Sequence, residues 1–281
     1  MPDVRFLNTI LLGGSPADKL EAAQAAGFDG IELWRQDVDA FDARDASPAF
    51  DDKAAGLAGK LRALELGLVD YQVLLDFDGT PAEQQAAKRA EALAMMDAAV
   101  NLGADTLLVP ASTAADCDPD RVVDDLRWLA DEAASRQLRI AYEAMAWSTF
   151  HAEVRSAWAV VRELKRPNVG LVIDAFHVFS IGGTVADLAG IPADRILLVQ
   201  LSDLAQDLSG TTRQALIDIA RHQRLLPGEG DFPLASLREW AKAIGYRGPV
   251  GLEVFNDRWK SRPPQEAALA AMQALRAAWP D

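Results

Sequence analysis

Four polar residues, Glu143, Asp174, Gln200 and Glu253, interrupt or end short apolar, β-branched runs that read RIAYEA, VGLVIDAFHV, ILLVQLSD and VGLEVFND. Runs of this kind belong to parallel strands buried on both faces, so each polar group falls at the carboxyl end of a buried strand. Three carboxylates gathered at one mouth would repel one another and resist ionisation, and a divalent cation removes that penalty. An all-oxygen set of two glutamates, an aspartate and an amide suits Mn²⁺, Mg²⁺ or Co²⁺ better than zinc, which prefers histidine and cysteine. Taken singly, each acid reads as an exposed strand end or an arginine partner. Four in matching positions read as a metal centre.

The chain has three histidines. His177 follows Asp174 by one helical turn, just past the strand end, where it could reach a substrate beside the metal. With an ordinary pKa near 6.5 it could both take and return a proton. His151 reads as a surface residue opening a helix. His222 lies in ARHQR, with substrate contact and a solvated role both open. In the same segment Arg221 and Arg224 can point the same way from one turn, and a guanidinium is a two-pronged donor to carboxylate or phosphate. Ser202 and Asp203, next to Gln200, orient a ligand or line the pocket. Glu32 in GIELW is either a hydrogen-bond acceptor behind the ligands or a capped strand end.

Positioning these groups requires a particular scaffold. Strand-like runs and helical patterns alternate along the chain: VRFLNTILL and a helix from Pro16; GIELW and a helix over 51–66; LVDYQVLL and a helix over 81–102; TLLVPA and a helix over 119–136. RIAYEA then leads to a helix over 152–165, VGLVIDAFHV to the short TVADLAG segment, ILLVQLSD to a helix over 211–222, and PVGLEVF to a final helix from Pro264. Proline at several helix starts marks the boundaries, because its missing N–H costs nothing there. Eight such pairs predict a single (β/α)8 barrel over residues 1–281, an α/β fold with its active site at the carboxyl ends of the strands. GGSPAD is a poor substitute for the glycine fingerprint of a doubly wound sheet, and no linker composition divides the chain. Asp174 and Gln200 should share the interior face with Val172 and Gly170, and with Leu198 and Ile196, respectively; Glu253 should share it with Gly251.

Glu143 and Asp174 are 31 residues apart and Asp174 and Gln200 are 26 apart, each about one strand–helix repeat, whereas Gln200 and Glu253 are 53 apart. The excess after the seventh strand contains ARHQRLLPGEGDFP, expected to be a loop covering the substrate.

Composition bounds the partners. With 281 residues, 50% of them hydrophobic, the chain can bury a large core. A formal net charge of -14 argues against nucleic acid, which needs clustered Lys and Arg. The single cysteine, Cys117, excludes an intrachain disulfide and fits a reducing compartment. No run approaches the ~18 apolar residues of a membrane span, and the N-terminus lacks a signal pattern, so a cytoplasmic protein is expected.

The segments YEAMAW, LVIDAFHV, LVQLSD, ARHQRLLPGEG and GYRGPVGLEVFND, with AGFDGIELW as a weaker echo, resemble the xylose isomerase-like barrel superfamily of sugar phosphate isomerases and epimerases. From Tyr142 onward the chain is most similar to bacterial metal-dependent 3-dehydroshikimate dehydratases. The resemblance implies one divalent cation held by Glu143, Asp174, Gln200 and Glu253, with His177 as acid/base. It also implies Arg224 on a substrate carboxylate and a pocket shared by Arg221, Gln72, His222, Asp203 and Glu32. Glutamine rather than histidine as third ligand resembles the dehydratases and hydroxypyruvate isomerases more than many sugar epimerases. Leu75 and Ala220 depart from the dehydratase pattern, which has an arginine and a serine there. The implied activity is dehydration of 3-dehydroshikimate through an enolate. A sugar or keto-acid isomerase or epimerase is the alternative, and a noncatalytic barrel binding a small acid is a third. Kinship with abasic-site endonucleases carries little weight, since those need a histidine-rich site. Homodimerisation is left open, because no stretch marks an interface.

Overall fold

Eight parallel strands close into a barrel in sequence order: β1 (Arg5–Asn8), β2 (Gly30–Trp34), β3 (Gly67–Gln72), β4 (Thr106–Pro110), β5 (Arg139–Glu143), β6 (Val169–Asp174), β7 (Ile196–Leu201) and β8 (Val250–Leu252). The computed structural model describes residues 4–41 and 50–280, and the side chains of all of these except 50–52. The outer layer holds α1 (Pro16–Ala26), α3 (Phe50–Ala63), α4 (Gln85–Leu102), α5 (Val122–Ser135), α6 (Val154–Leu164), α8 (Arg213–His222), α9 (Leu234–Ala243) and α11 (Pro264–Ala278). The short helices α2 (Arg35–Ala40), α7 (Ala175–Phe179) and α10 (Asp257–Lys260) follow β2, β6 and β8 at the active-site rim. Among the described residues no helix is long and apolar enough to cross a membrane.

Local signals account for the elements. Ser15 caps α1 in a reciprocal box with Asp18, Pro16 occupies its first turn, and Gly27 ends it at φ 85°, a left-handed position that glycine adopts without strain. In α6 the residues Val154, Ala157, Val160, Val161 and Leu164 form one buried stripe at helical spacing. Helix α11 packs on α1, so the last element seals the ring against the first.

Inside the barrel, Phe6, Val69, Leu108, Ala141, Val172, Leu197 and Leu198 form an apolar plug beneath the rim. The interior faces expected for Val172 and Leu198 are observed. Ile196 is a correction: it pairs with Leu171 and joins the outer core, because the β6–β7 register shifts by one residue between Leu171 and Val172. A second shift, between Ile31 and Glu32, pairs Glu32 with Asp70. Irregularities of this kind break the two-residue alternation on which a count along the strand relies.

The long excess after β7 holds the expected helix, and a further helix follows the expected loop. The two helices are α8 and α9, and the intervening segment is pinned by bridges from Asp203 to Leu225 and from Gln223 to Asn256. Only its first part, around Arg221 to Arg224, reaches the rim pocket.

Gly251 marks where the barrel is tightest. A Cβ there would lie 2.3 Å from both the backbone oxygen and the ring of Phe6 on the neighbouring β1. Gly251→Ala is therefore expected to destabilise the protein by about 2 kcal/mol, read as a lower urea midpoint at unchanged m value. An unchanged midpoint would show that β1 and β8 can part at no cost.

Candidate metal centre and active site

The four residues singled out by type and spacing come together on one rim. Glu143 ends β5, Asp174 ends β6 beside Gln200 of β7, and Glu253 immediately follows β8. All four are buried. Glu143, Asp174 and His177 can place ligand atoms within 4.8 Å of one another, a geometry able to hold a metal ion. Two buried oxygens, Glu143 Oε1 and Gln200 Oε1, have no hydrogen-bond partner. A buried acceptor left unpaired is costly, and a cation would satisfy both, so the donor set fits a divalent ion.

The histidine is set apart from the carboxylates by its own hydrogen bond. The Ala146 backbone N–H donates to His177 Nδ1 at 3.2 Å, so the neutral ring carries its hydrogen on Nε2. That edge points at Asp174 Oδ2 and Glu143 Oε1, 3.6 and 3.9 Å away. A ligating histidine donates through its other ring nitrogen; this one accepts there, which leaves Nε2 a donor and no lone pair for a metal. Burial holds the ring neutral, pushing its pKa down to about 4, with Arg224 acting in the same direction and Asp174 against it. Taking a proton at Nε2 requires the other tautomer, which the Ala146 N–H opposes.

Arg224 is the one buried cation among these groups. Its Nη1 donates to Asp174 Oδ2 at 2.9 Å and to Glu253 Oε2 at 3.0 Å, its Nε donates to the Ala220 carbonyl, and its guanidinium lies between the rings of Phe176 and Phe255. Expected to bind a substrate carboxylate, it lines the pocket and also ties the Asp174 and Glu253 carboxylates together.

Beneath these groups lies a layer that the sequence reading missed. Asn8, at the end of β1, donates from Nδ2 to Glu32 Oε2 at 3.1 Å and to Glu253 Oε1 at 3.0 Å. Gln200 Nε2 donates to Glu32 Oε1 at 2.7 Å. Asp70, fully buried beside Glu32, receives no N–H or hydroxyl donor on either oxygen and can pair only by sharing a carboxyl proton with Glu32. Both missed residues carried the signal used for the others. Asn8 interrupts RFLNTILL as a lone polar group, and Asp70 sits two places before Gln72 on the same strand.

A cavity of about 470 Å³ opens above the carboxylates. Apolar walls come from Trp34, Met145, Trp147 and Phe255, and Leu75, 47% exposed, stands where the dehydratase pattern has an arginine. Gln72 reaches the cavity with its Nε2 unpaired. Arg221, His222 and Lys260 supply cationic groups at the mouth, and His222 is shared with Asp257 at 2.9 Å. Lys260 is a further residue that the sequence reading did not single out.

Three expectations are corrected. Asp203 does not face a substrate: its oxygens accept from the backbone of Leu204, Gly228 and Phe232 and fasten the segment after α8. Glu32 does not line the pocket that the resemblance implied for it, but takes the other role expected of it, accepting hydrogen bonds from Asn8 and Gln200 behind the proposed ligands. His151 is half-buried against Tyr142, three residues before its helix begins, rather than a surface residue.

The carboxyls are held off their ordinary titration range. Burial raises Glu253 to about 8 against the opposing pull of Arg224, and burial with the Glu253 and Asp174 charges raises Glu143 well above the usual range. Burial raises Asp70 to about 7, and burial with the Asp70 charge raises Glu32 well above normal.

Comparison with known proteins agrees with this geometry. A family profile described as xylose isomerase-like TIM barrel matches residues 20–278. The 3-dehydroshikimate dehydratases of Pseudomonas aeruginosa and Pseudomonas putida are 36% and 33% identical over 96% of this chain. The chain spans 41% of the length of each of these curated relatives. An inosose isomerase of Bacillus subtilis is 27% identical over 53% of this chain and 51% of its own. Among solved structures, a xylose isomerase-like TIM barrel/4-hydroxyphenylpyruvate dioxygenase fusion protein superposes with a TM-score of 0.87 at 31% identity, covering 99% of this chain and 43% of that one. A protein titled IOLI, solved with a zinc atom, shares the fold with a TM-score of 0.84 at 21% identity over 98% of this chain and 97% of its own.

The raised carboxyls give a pH dependence of definite sign. Between pH 6.5 and 8 the folded, metal-free protein holds protons on Glu253 and its neighbours that the unfolded chain has already lost, so metal-free stability falls as pH rises through this window. The depressed histidine acts only below its unfolded value of about 6.5 and does not interfere there. Binding of a divalent cation must displace those protons. At pH 7 calorimetry in buffers of different ionisation enthalpy should therefore show proton release, with affinity rising toward pH 8. Binding without proton release would contradict this reading of the site.

Proposed function

Because the chain belongs to the xylose isomerase-like TIM-barrel family, we propose that it is a divalent-metal-dependent lyase that converts 3-dehydroshikimate into protocatechuate and water. The observation that carries this reading is the identity of up to 36%, over 96% of this chain, with proteins named for that activity. The buried, unpaired oxygens of Glu143, which lines the cavity, and of Gln200 support it.

In this reading Glu143, Asp174, Gln200 and Glu253 hold the ion, and their hard oxygens favour Mn²⁺, Mg²⁺ or Co²⁺. The bound cation supplies Lewis-acid stabilisation of the charge that develops when a proton leaves the carbon beside the substrate carbonyl. His177 acts through Nε2, its donor edge, on a substrate oxygen, and the hydroxyl β to the carbonyl is the group it assists. The C–H proton passes to the departing hydroxyl, which His177 holds through its Nε2–H, so one water leaves, and the remaining ring becomes aromatic by tautomerisation. Arg221 at the open side of the cavity, with the edge of Arg224 that lines it and the amide of Gln72, receives the substrate carboxylate away from the acid-lined rim. Trp34, Trp147 and Phe255 keep water from the ring.

A second reading, isomerisation of a cyclic or open-chain keto-polyol, draws on the inosose isomerase relatives and on Leu75 and Ala220, which withhold a guanidinium and a hydroxyl from the pocket. In it the proton returns to carbon and nothing is expelled.

Protein supplied with Mn²⁺ and 3-dehydroshikimate is expected to develop the strong ultraviolet absorbance of a catechol, and chelation should abolish it. His177→Ala should lower kcat roughly 10²–10⁴-fold while leaving Mn²⁺ affinity unchanged. A flat ultraviolet trace with deuterium entering a keto-polyol from solvent would replace the dehydratase by the isomerase.

A further inference from the structure

Gln200 differs from the other three residues at the rim in that its side chain has two chemically opposite ends. Only the carbonyl end can serve a cation; the amino end would repel one. Which end faces the site is set by whatever holds the other, and here a chain of hydrogen bonds begins at a group that can only donate.

The Trp34 indole Nε1–H donates to Asn8 Oδ1 at 2.7 Å, and the Ile10 backbone N–H donates to the same oxygen at 3.0 Å. An indole nitrogen and a backbone amide have no acceptor role, so the Asn8 oxygen must face them and its amino group must face the opposite way. That amino group reaches Glu32 Oε2 and Glu253 Oε1. Glu32, with no exposure to solvent, offers its second oxygen to Gln200 Nε2 at 2.7 Å. The amino end of Gln200 is thereby consumed, and Oε1 is left buried without a hydrogen-bond partner, on a residue level with Asp174. Register makes the arrangement possible: Asn8 is level with Glu32, Glu32 with Asp70 after the β2–β3 shift, and Gln200 with Asp174.

We infer that Asn8 and Glu32 are positioning residues, which pass the donor polarity of the Trp34 indole across the barrel and so fix Gln200 with its carbonyl oxygen toward the cation site. The inference rests on the metal-binding reading above and deepens it. The same Asn8 amino group also holds Glu253, so one side chain on β1 aligns two of the proposed ligands, on β7 and β8.

The test uses the full chain and Mn²⁺ alone, with affinity read by calorimetry and the metal-free fold read by circular dichroism and Tm. Glu32→Gln places an amino group where an acceptor is needed. Asn8 is anchored by Trp34 and Ile10, so Gln200 is the side chain that turns over, presenting its amino group to the ion. Mn²⁺ affinity should fall roughly 10–100-fold, the loss typical when the partner behind a ligand is removed. The exchange Glu32→Gln with Gln200→Glu restores an oxygen to the site at constant net charge, and should recover the wild-type affinity or exceed it. A purely structural role for Glu32 would lower the metal-free Tm in both variants and would not be rescued. If Glu32→Gln fails to fold, Asn8→Asp, which removes both donated bonds while keeping an acceptor for Trp34, should show the same loss of affinity. Unchanged affinity in Glu32→Gln, or no recovery in the exchange, overturns the relay. Absence of Mn²⁺ binding by the wild-type protein overturns the metal reading, and the relay with it.

Discussion

Five carboxyl groups, Glu32, Asp70, Glu143, Asp174 and Glu253, are buried at one end of the barrel with a single guanidinium, that of Arg224, among them. Unpaired charge in such a place costs several kcal/mol per ion, so the arrangement persists only with protons, a cation or both to offset it. The pKa directions say that, without a metal, protons do this: Glu32, Glu143 and Glu253 are all pushed upward, first by burial and then by neighbouring carboxylates. A site that favours protonated carboxyls and leaves two buried oxygens without partners has the chemistry to exchange those protons for a divalent ion.

The rest of the fold serves this imbalance. Closure of the sheet brings β5 to β8 side by side, and β1 to β3 contribute Asn8, Glu32 and Asp70 from the other side. The apolar plug below keeps water from reaching the carboxyls from within the barrel. Asp203, by fastening the segment after α8, holds Arg221 and Arg224 against the rim. Arg224 itself is confined by Phe176 and Phe255, so its charge stays at the two carboxylates it bridges. His177 is fixed from behind by the Ala146 amide, which decides what its front edge can offer.

Much of this was legible in the sequence. Polar residues at the ends of apolar runs located Glu143, Asp174, Gln200 and Glu253, and the count of strand–helix repeats identified the closed barrel. What stayed hidden has physical causes. Register shifts at β2–β3 and β6–β7 defeat alternation, which misplaced Ile196 and concealed the pairing of Glu32 with Asp70. Asn8 was overlooked because its partners lie 24 and 245 residues away, a proximity that only ring closure creates. Asp203 looked like a pocket residue because it follows Gln200 so closely, but its oxygens are taken up by backbone amides of a segment more than twenty residues on. The helix α9, which begins just beyond the expected loop, was not marked, since the glycines and prolines ahead of it dominated that stretch.

The central claim, that one divalent ion is held by oxygens from four strands, is tested most directly by anomalous diffraction from crystals grown with Mn²⁺. A single strong anomalous peak is expected, bonded to oxygens of Glu143, Asp174, Gln200 and Glu253, with His177 Nε2 outside bonding distance. A peak bonded to His177, or no peak between these side chains, would contradict it.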